Sequence, residues 1–81
     1  MYSVYLLECA DKSIYTGITT DVSRRLVEHK NGTASKYTRA HGAVRILHTE
    51  VCPDRGSALK REAEIKSFSR EKKVALYKRK S

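Results

Sequence analysis

Hydrophobic and polar positions alternate in two rhythms along this chain, and the change of rhythm marks its elements. Residues 2–8, Tyr-Ser-Val-Tyr-Leu-Leu-Glu, are aromatic, β-branched and aliphatic, and predict a buried strand. Asp11-Lys12-Ser13 is a turn, and Ile14 to Ile18 is a second short strand, so the two should pair as an antiparallel hairpin. Residues two apart share a face of a strand, so Tyr15 and Gly17 share one. A glycine inside a strand weakens it and admits close approach of another group. Tyr5 can sit near Tyr15 across the hairpin, in a register the sequence leaves open.

The rhythm then becomes helical from Asp21 to about Lys30. Thr20 or Asp21 can cap the start, and Asn31-Gly32 supplies the stop. At about 100° per residue, Leu26, Arg25 and His29 fall within about 60° of Val22, whereas Arg24, Val27 and Glu28 point elsewhere. A cation and an imidazole thus share the inward stripe with two aliphatics. An unpartnered buried guanidinium is costly, so something anionic should meet Arg25: a carboxylate of the fold or a phosphate of a ligand. The alternative is an Arg whose stem packs while its head reaches water.

Residues 33–42, Thr-Ala-Ser-Lys-Tyr-Thr-Arg-Ala-His-Gly, lack a clear period and read as a loop with room for one helical turn. Lys36, Arg39 and His41 surround Tyr37 there, a mixture suited to a nucleic-acid backbone and a stacked base, or simply to solvent. Ala43 to Val51 is the third strand, with Val44, Ile46 and His48 on one face and Arg45, Leu47 and Thr49 on the other. Pro53-Asp54 breaks it, and Asp54 can cap a helix over about Arg55 to Phe68. On that helix Glu62 lies near the middle of a stripe formed by Ala58, Leu59 and Ile65. An inward carboxylate must be paired, protonated or bound to a metal; a salt bridge to Arg25 or Lys66 is the purely structural reading. Ser69 opens a last helix, with Glu71 in its first turn and Val74, Ala75, Leu76 and Tyr77 as apolar contacts. Lys72, Lys73, Lys78, Arg79 and Lys80 make it basic, and the tail beyond Tyr77, about 78–81, should fray.

The order strand, strand, helix, strand, helix, helix predicts an α+β fold: a three-stranded, mostly antiparallel sheet flanked by helices. The 81 residues fit a single domain, 1–81, and a 40% hydrophobic content suits a folded core. No apolar run approaches the roughly 20 residues of a membrane span, and strand-like sequence begins at Tyr2, so the expectation is a cytoplasmic protein without a membrane partner. Cys9 and Cys52 lack CxxC spacing and read as reduced thiols; His29, His41 and His48 lack the spacing of a zinc site. Charge changes the picture more. Lys and Arg total 17 against 9 acids, a net +8 on a short chain, which favours a polyanionic partner, nucleic acid before membrane.

Ser3-Val4-Tyr5 followed by Tyr15-Thr16-Gly17 resembles the paired signature of the GIY-YIG nuclease superfamily. Arg25 and His29 on the next helix, and Glu62 on the helix after the third strand, fall where that family places its site residues. The resemblance covers nearly the whole chain and is strongest to the small stand-alone UPF0213 group, through Val-Tyr-Leu-Leu, Tyr-Thr-Gly-Ile-Thr-Thr-Asp, Arg-Arg, Glu-His, Ala-Leu-Lys-Arg-Glu and Ile-Lys. The chain is also similar to the nuclease domain of structure-selective DNA-junction enzymes.

The resemblance implies an endonuclease that hydrolyses DNA phosphodiester bonds. Glu62 would bind one divalent metal, Mg²⁺ or Mn²⁺, and Arg25 would hold the scissile phosphate. Tyr5 would take the proton of an attacking water, assisted or shaped by Tyr15 and His29, with Gly17 a structural member of the site. Tyr5, Tyr15, Arg25 and Glu62 should converge on one cleft, while Lys36, Arg39 and Lys66 would contact nucleic acid. A tyrosine of free pKa about 10 is a poor base at neutral pH and needs help from positive charge or hydrogen bonds. The sequence departs from the family pattern at Ser3, where the first glycine stands in relatives. Within these 81 residues the late polar residue, often Asn, that relatives place beside the site has no counterpart, and none of them is expected to form an appended DNA-binding domain. These departures bear on independent catalysis and specificity, and leave room for a protein partner supplying selectivity. The rival readings are a non-catalytic nucleic-acid-binding module and a protein-interaction domain with a basic face.

Overall fold

A computed structural model describes residues 1–78. Strand β1, Tyr2–Cys9, is central and pairs antiparallel with both β2, Ile14–Thr19, and β3, Ala43–Cys52, giving the order β2-β1-β3. The expected three-stranded antiparallel sheet is therefore present. The hairpin turn is held by Asp11, whose Oδ1 accepts from the Ser13 backbone N at 3.0 Å and Oγ at 2.6 Å.

Four helices flank the sheet: α1, Val22–Lys30; α2, Lys36–His41; α3, Arg55–Lys66; and α4, Arg70–Tyr77. Asp21, Ser35, Asp54 and Ser69 cap their N-termini through side-chain oxygens. Alternation along β1 separates two cores. Val4 and Leu6 face α3 and α4, packing with Ala58, Ile65, Phe68 and Leu76. Tyr5, Leu7 and Cys9 face the other side and pack with Leu26 of α1 and with Tyr15 and Ile46. Both cysteines are free and buried.

Three sequence expectations need correction. The segment 33–42 contains a six-residue helix, α2, Lys36–His41, more than the single helical turn the loop reading allowed. Its apolar content is too slight to show a period, but Ser35 caps it and Gly42, at φ 77°, ends it. Its end is tied to the hairpin turn by the Asp11–His41 contact and by Ala10 N donating to the Gly42 carbonyl at 2.7 Å. Second, β3 does not alternate simply. Leu6 opposes His48 and Leu7 opposes Ile46, so Leu47 is an extra residue; a second irregularity falls at Val44, between the partners of Glu8 and Cys9. Leu47 consequently packs with the Val4–Leu6 core, Ile46 with the Tyr5–Leu7 core, and Val44 is 42% exposed. Third, the inward stripe of α3 centres on Ala58 and Ile65, and Leu59 is exposed.

Glu50 of β3 fixes α3 to the sheet: its carboxylate receives Arg61 Nε at 2.7 Å and Nη2 at 3.0 Å. Among the described residues no helix is long and apolar enough to cross a membrane. The basic positions Arg79 and Lys80, and the fraying expected over them, lie outside the described residues.

Candidate active site on the α1 face

The site begins with a missing side chain. Tyr5 lies directly opposite Gly17 in the β1–β2 register. A Cβ at Gly17 would come within 2.6 Å of the Tyr5 hydroxyl oxygen, 2.8 Å of its Cζ and 3.0 Å of Tyr15 Cε2. The phenol of Tyr5 thus lies across the glycine, where only a hydrogen leaves it room. From the helical side, α1 brings His29 to the same phenol: its Nε2 is 2.6 Å from the Tyr5 hydroxyl. Tyr15 completes the group, its ring centroid 5.2 Å from His29 and 6.3 Å from Tyr5. Tyr5 and His29 are each only 1% exposed.

Electrostatics divide the roles. Burial first of all pushes the Tyr5 phenol up to about 12, against the hydrogen-bonding and positive charge of Arg25, while Tyr15 and the negative charge of Glu62 push it further up. His29 is held below the usual histidine value, chiefly by burial and then by the charge of Arg25. It is therefore a neutral imidazole at neutral pH. Arg25 stands beside the phenol from the inward stripe of α1. Its anionic partner is Glu28 of its own helix, at 3.0 Å from Nη1, a residue the helical wheel had pointed elsewhere. Arg25 is half-buried, so its stem packs while part of its head stays open. Its buried Nε has no hydrogen-bond partner among the described residues. The open part of the guanidinium, with the side chain 35% exposed, is what could meet an oxyanion.

Glu62 relates to this group differently. Its helix, α3, covers the opposite face of the sheet from α1, with its neighbours Ala58 and Ile65 packed on Val4 and Leu6. The carboxylate does not pair with Arg25; Oε2 lies 3.4 Å from Lys66 Nζ, one turn along. Its side chain is 18% exposed, and its charge acts on Tyr5 as the smallest of five influences there. Among the described residues no three His, Cys, Asp or Glu side chains cluster to hold a metal. A lone carboxylate does not suit zinc, but it suits a hard cation that keeps most of its waters and takes further oxygens from a phosphate, the habit of Mg²⁺.

Of the expected nucleic-acid contacts, Lys36 and Arg39 line one open pocket with Gly32, Thr33, Ala34 and Ser35. The Arg39 stem lies over Gly32, whose added Cβ would sit 3.1 Å from Arg39 Cγ. Lys66 is occupied with Glu62 instead. Two further residues of α2 join the site, of which only Tyr37 was singled out from the sequence. Thr38 is buried, and its Oγ1 lies 2.7 Å from His29 Nδ1. Tyr37 stacks on His41 at 4.1 Å and reaches Tyr15 at 5.7 Å, continuing the aromatic row outward. The signal for Thr38 was available only in part: a Ser35 cap places it on the first turn of a helix, but nothing local aims it at His29.

A sheet carrying tyrosines on β1 and β2, with Arg and His on the following helix, defines a class. The description "GIY-YIG catalytic domain" matches residues 1–75, and the chain belongs to this nuclease family. It is similar, at 53% identity over 73 residues, to a UPF0213 protein of Haloquadratum walsbyi, covering 90% of this chain and 82% of that one. A UPF0213 protein of Staphylococcus saprophyticus is 42% identical over 73 residues, 90% of this chain and 89% of the relative. The solution NMR structure of a UPF0213 protein from Bacillus halodurans superposes with a TM-score of 0.58 at 47% identity, covering 94% of this chain and 82% of that chain.

Proposed function

We propose that this chain, read as a single domain over residues 1–81, is a cytoplasmic, metal-dependent endonuclease that hydrolyses DNA phosphodiester bonds. The observation that carries the reading is the buried Tyr5 phenol, bonded to a neutral His29 and lying beside the partly exposed Arg25 guanidinium.

The chemistry follows from those charges. Arg25 receives the phosphate oxygens and becomes more useful as negative charge accumulates on them in the transition state. Tyr5 meets the attacking water. With a pKa of about 12, forming a free phenolate at pH 7 would cost about 7 kcal/mol. The phenol therefore works best when its own proton leaves as it takes the proton of water, and His29, at 2.6 Å, is the acceptor in place. Tyr15 walls the phenol on the strand side. Glu62 is the residue that would hold the divalent cation, Mg²⁺ or Mn²⁺. When bound, that cation neutralises phosphate charge and stabilises the leaving oxygen. Lys36 and Arg39 would meet the backbone further along the strand, with Lys66 released to do so when Glu62 takes the metal. A domain this short neutralises phosphates better than it reads bases, so selectivity for DNA shape, or for a site chosen by a protein partner, fits it better than sequence recognition.

A non-catalytic nucleic-acid-binding module is the second reading. It is favoured by the placement of α3 on the face opposite α1 and by the Glu62–Lys66 pair. Labelled branched, nicked and single-stranded DNA, incubated with Mg²⁺ or Mn²⁺, separates the two. Cleavage lost in Glu62→Ala and Arg25→Ala supports the nuclease; salt-sensitive binding with no cleavage by the unaltered protein supports the module.

A further inference from the structure

The two hydrogen bonds of His29 can be assigned a direction by counting donors. Thr38 Oγ1 lies 3.3 Å from the Ser35 carbonyl oxygen and 2.7 Å from His29 Nδ1. A carbonyl only accepts, so the single hydroxyl proton of Thr38 points to Ser35, and Thr38 must accept from Nδ1–H. A neutral imidazole carries one ring proton, so Nε2 is bare and accepts from the Tyr5 hydroxyl at 2.6 Å. The other side of Tyr5 agrees. The positive charge of Arg25 beside the phenol favours an electron-rich oxygen there, consistent with the phenol proton being directed to His29. With the opposite tautomer, Nε2–H would donate to the phenol, and no hydrogen bond among the described residues would receive the phenol's own proton.

We propose that Thr38 is a positioning residue: its hydroxyl fixes His29 in the Nδ1-protonated tautomer, so that Nε2 is free to take the proton of Tyr5 during hydrolysis. The proposal rests on the nuclease reading above and adds to it an unsuspected member from α2. In the step, Tyr5 oxygen takes a proton from the attacking water while its own proton passes to Nε2. The water oxygen forms the new bond to phosphorus, the ester P–O bond breaks, and the departing alkoxide takes a proton from solvent. His29 is then an imidazolium that still donates from Nδ1 to Thr38, and it returns its Nε2 proton to solvent.

Long-range ¹H–¹⁵N NMR of the full chain reads the tautomer directly and needs no substrate. The unaltered protein should show a protonated Nδ1 and a bare Nε2 for His29. Thr38→Val, which keeps the shape and removes the hydroxyl, should shift the population toward Nε2–H, and Thr38→Ser should restore the original pattern. On DNA, Thr38→Val should lower kcat on the order of 10²-fold with KM changed less than about 2-fold, and Thr38→Ser should recover most of the loss. An Nε2-protonated His29 in the unaltered protein overturns the proposal even if the valine variant fails to fold. So does a folded Thr38→Val that keeps the original tautomer. The expected tautomer in a protein that cleaves no DNA overturns the nuclease reading and the relay built on it, while the hydrogen-bond assignment to Thr38 stands.

Discussion

Replacing Gly17 with alanine probes the site through one methyl group. The backbone there is ordinary strand, and alanine's narrower unfolded ensemble alone would stabilise the protein by about 0.4–1 kcal/mol. The methyl, however, would be 2.6 Å from the Tyr5 hydroxyl oxygen and must recover an ordinary contact of 3.4 Å. The phenol therefore has to retreat by about 0.8 Å, although it is 1% exposed and bonded to His29 at 2.6 Å. Overpacking of this kind costs about 1–3 kcal/mol, so the net expectation is a loss of about 1–2 kcal/mol. A displacement near 1 Å at a reacting group costs on the order of 10²-fold in rate, so cleavage should fall further than stability alone explains. Urea unfolding reads the first quantity and single-turnover cleavage of labelled DNA, under conditions where the variant is folded, reads the second. In a Tyr5→Phe background, where the nearest atom is gone, the stability penalty should shrink, a coupling that a double-mutant cycle measures. Unchanged unfolding midpoint and unchanged cleavage in Gly17→Ala would refute the reasoning.

Other expectations follow from the same geometry. Arg25→Lys keeps a charge but not the planar fork, and should reduce cleavage by about 10²-fold or more while changing urea stability by less than about 1 kcal/mol. Alanine at both Lys36 and Arg39 should weaken DNA binding and lower the slope of log affinity against log salt by about 1–2, with urea stability little changed; an unaltered salt slope would remove both from the footprint. The depressed pKa of His29 sets a sign for pH. The folded state favours the neutral ring, so its contribution is fully present above the unfolded value of about 6.5 and is lost as pH falls toward the folded value. Stability followed by urea unfolding from pH 7.5 to 5 should decline with a component that disappears in His29→Gln.

Much of this site could be read along the chain because its pieces obey local periods. Arg25 and His29 fall on the inward stripe of α1 by spacing alone, and Gly17 declares a close approach by interrupting a strand. Capping residues located the starts of α1, α3 and α4. What escaped depends on contacts between elements. The two extra residues in β3 follow from how it pairs with β1, not from its own composition, so His48, opposite Leu6, was assigned to a face it does not share with Ile46, opposite Leu7. Helix α2 is only six residues long and is held by Asp11 and the hairpin turn, far away in sequence. Thr38 therefore could not be connected to His29. The partner of Arg25 was missed for another reason: long side chains at i and i+3 can meet around the helix even when a wheel separates their Cβ directions. Glu62 shows the limit of the wheel from the other side. Its stripe was legible, but the face of the sheet that its helix covers was not.

The central claim is that the Tyr5 phenol, set between His29 and Arg25, is the group through which a DNA phosphodiester is hydrolysed. Its most direct test is single-turnover cleavage of labelled branched and single-stranded DNA in Mg²⁺ by the unaltered protein and by Tyr5→Phe, which keeps the ring and removes only the hydroxyl. The account predicts cleavage by the former and a loss of at least about 10²-fold in the latter with DNA binding retained. Equal cleavage by the two proteins would contradict it.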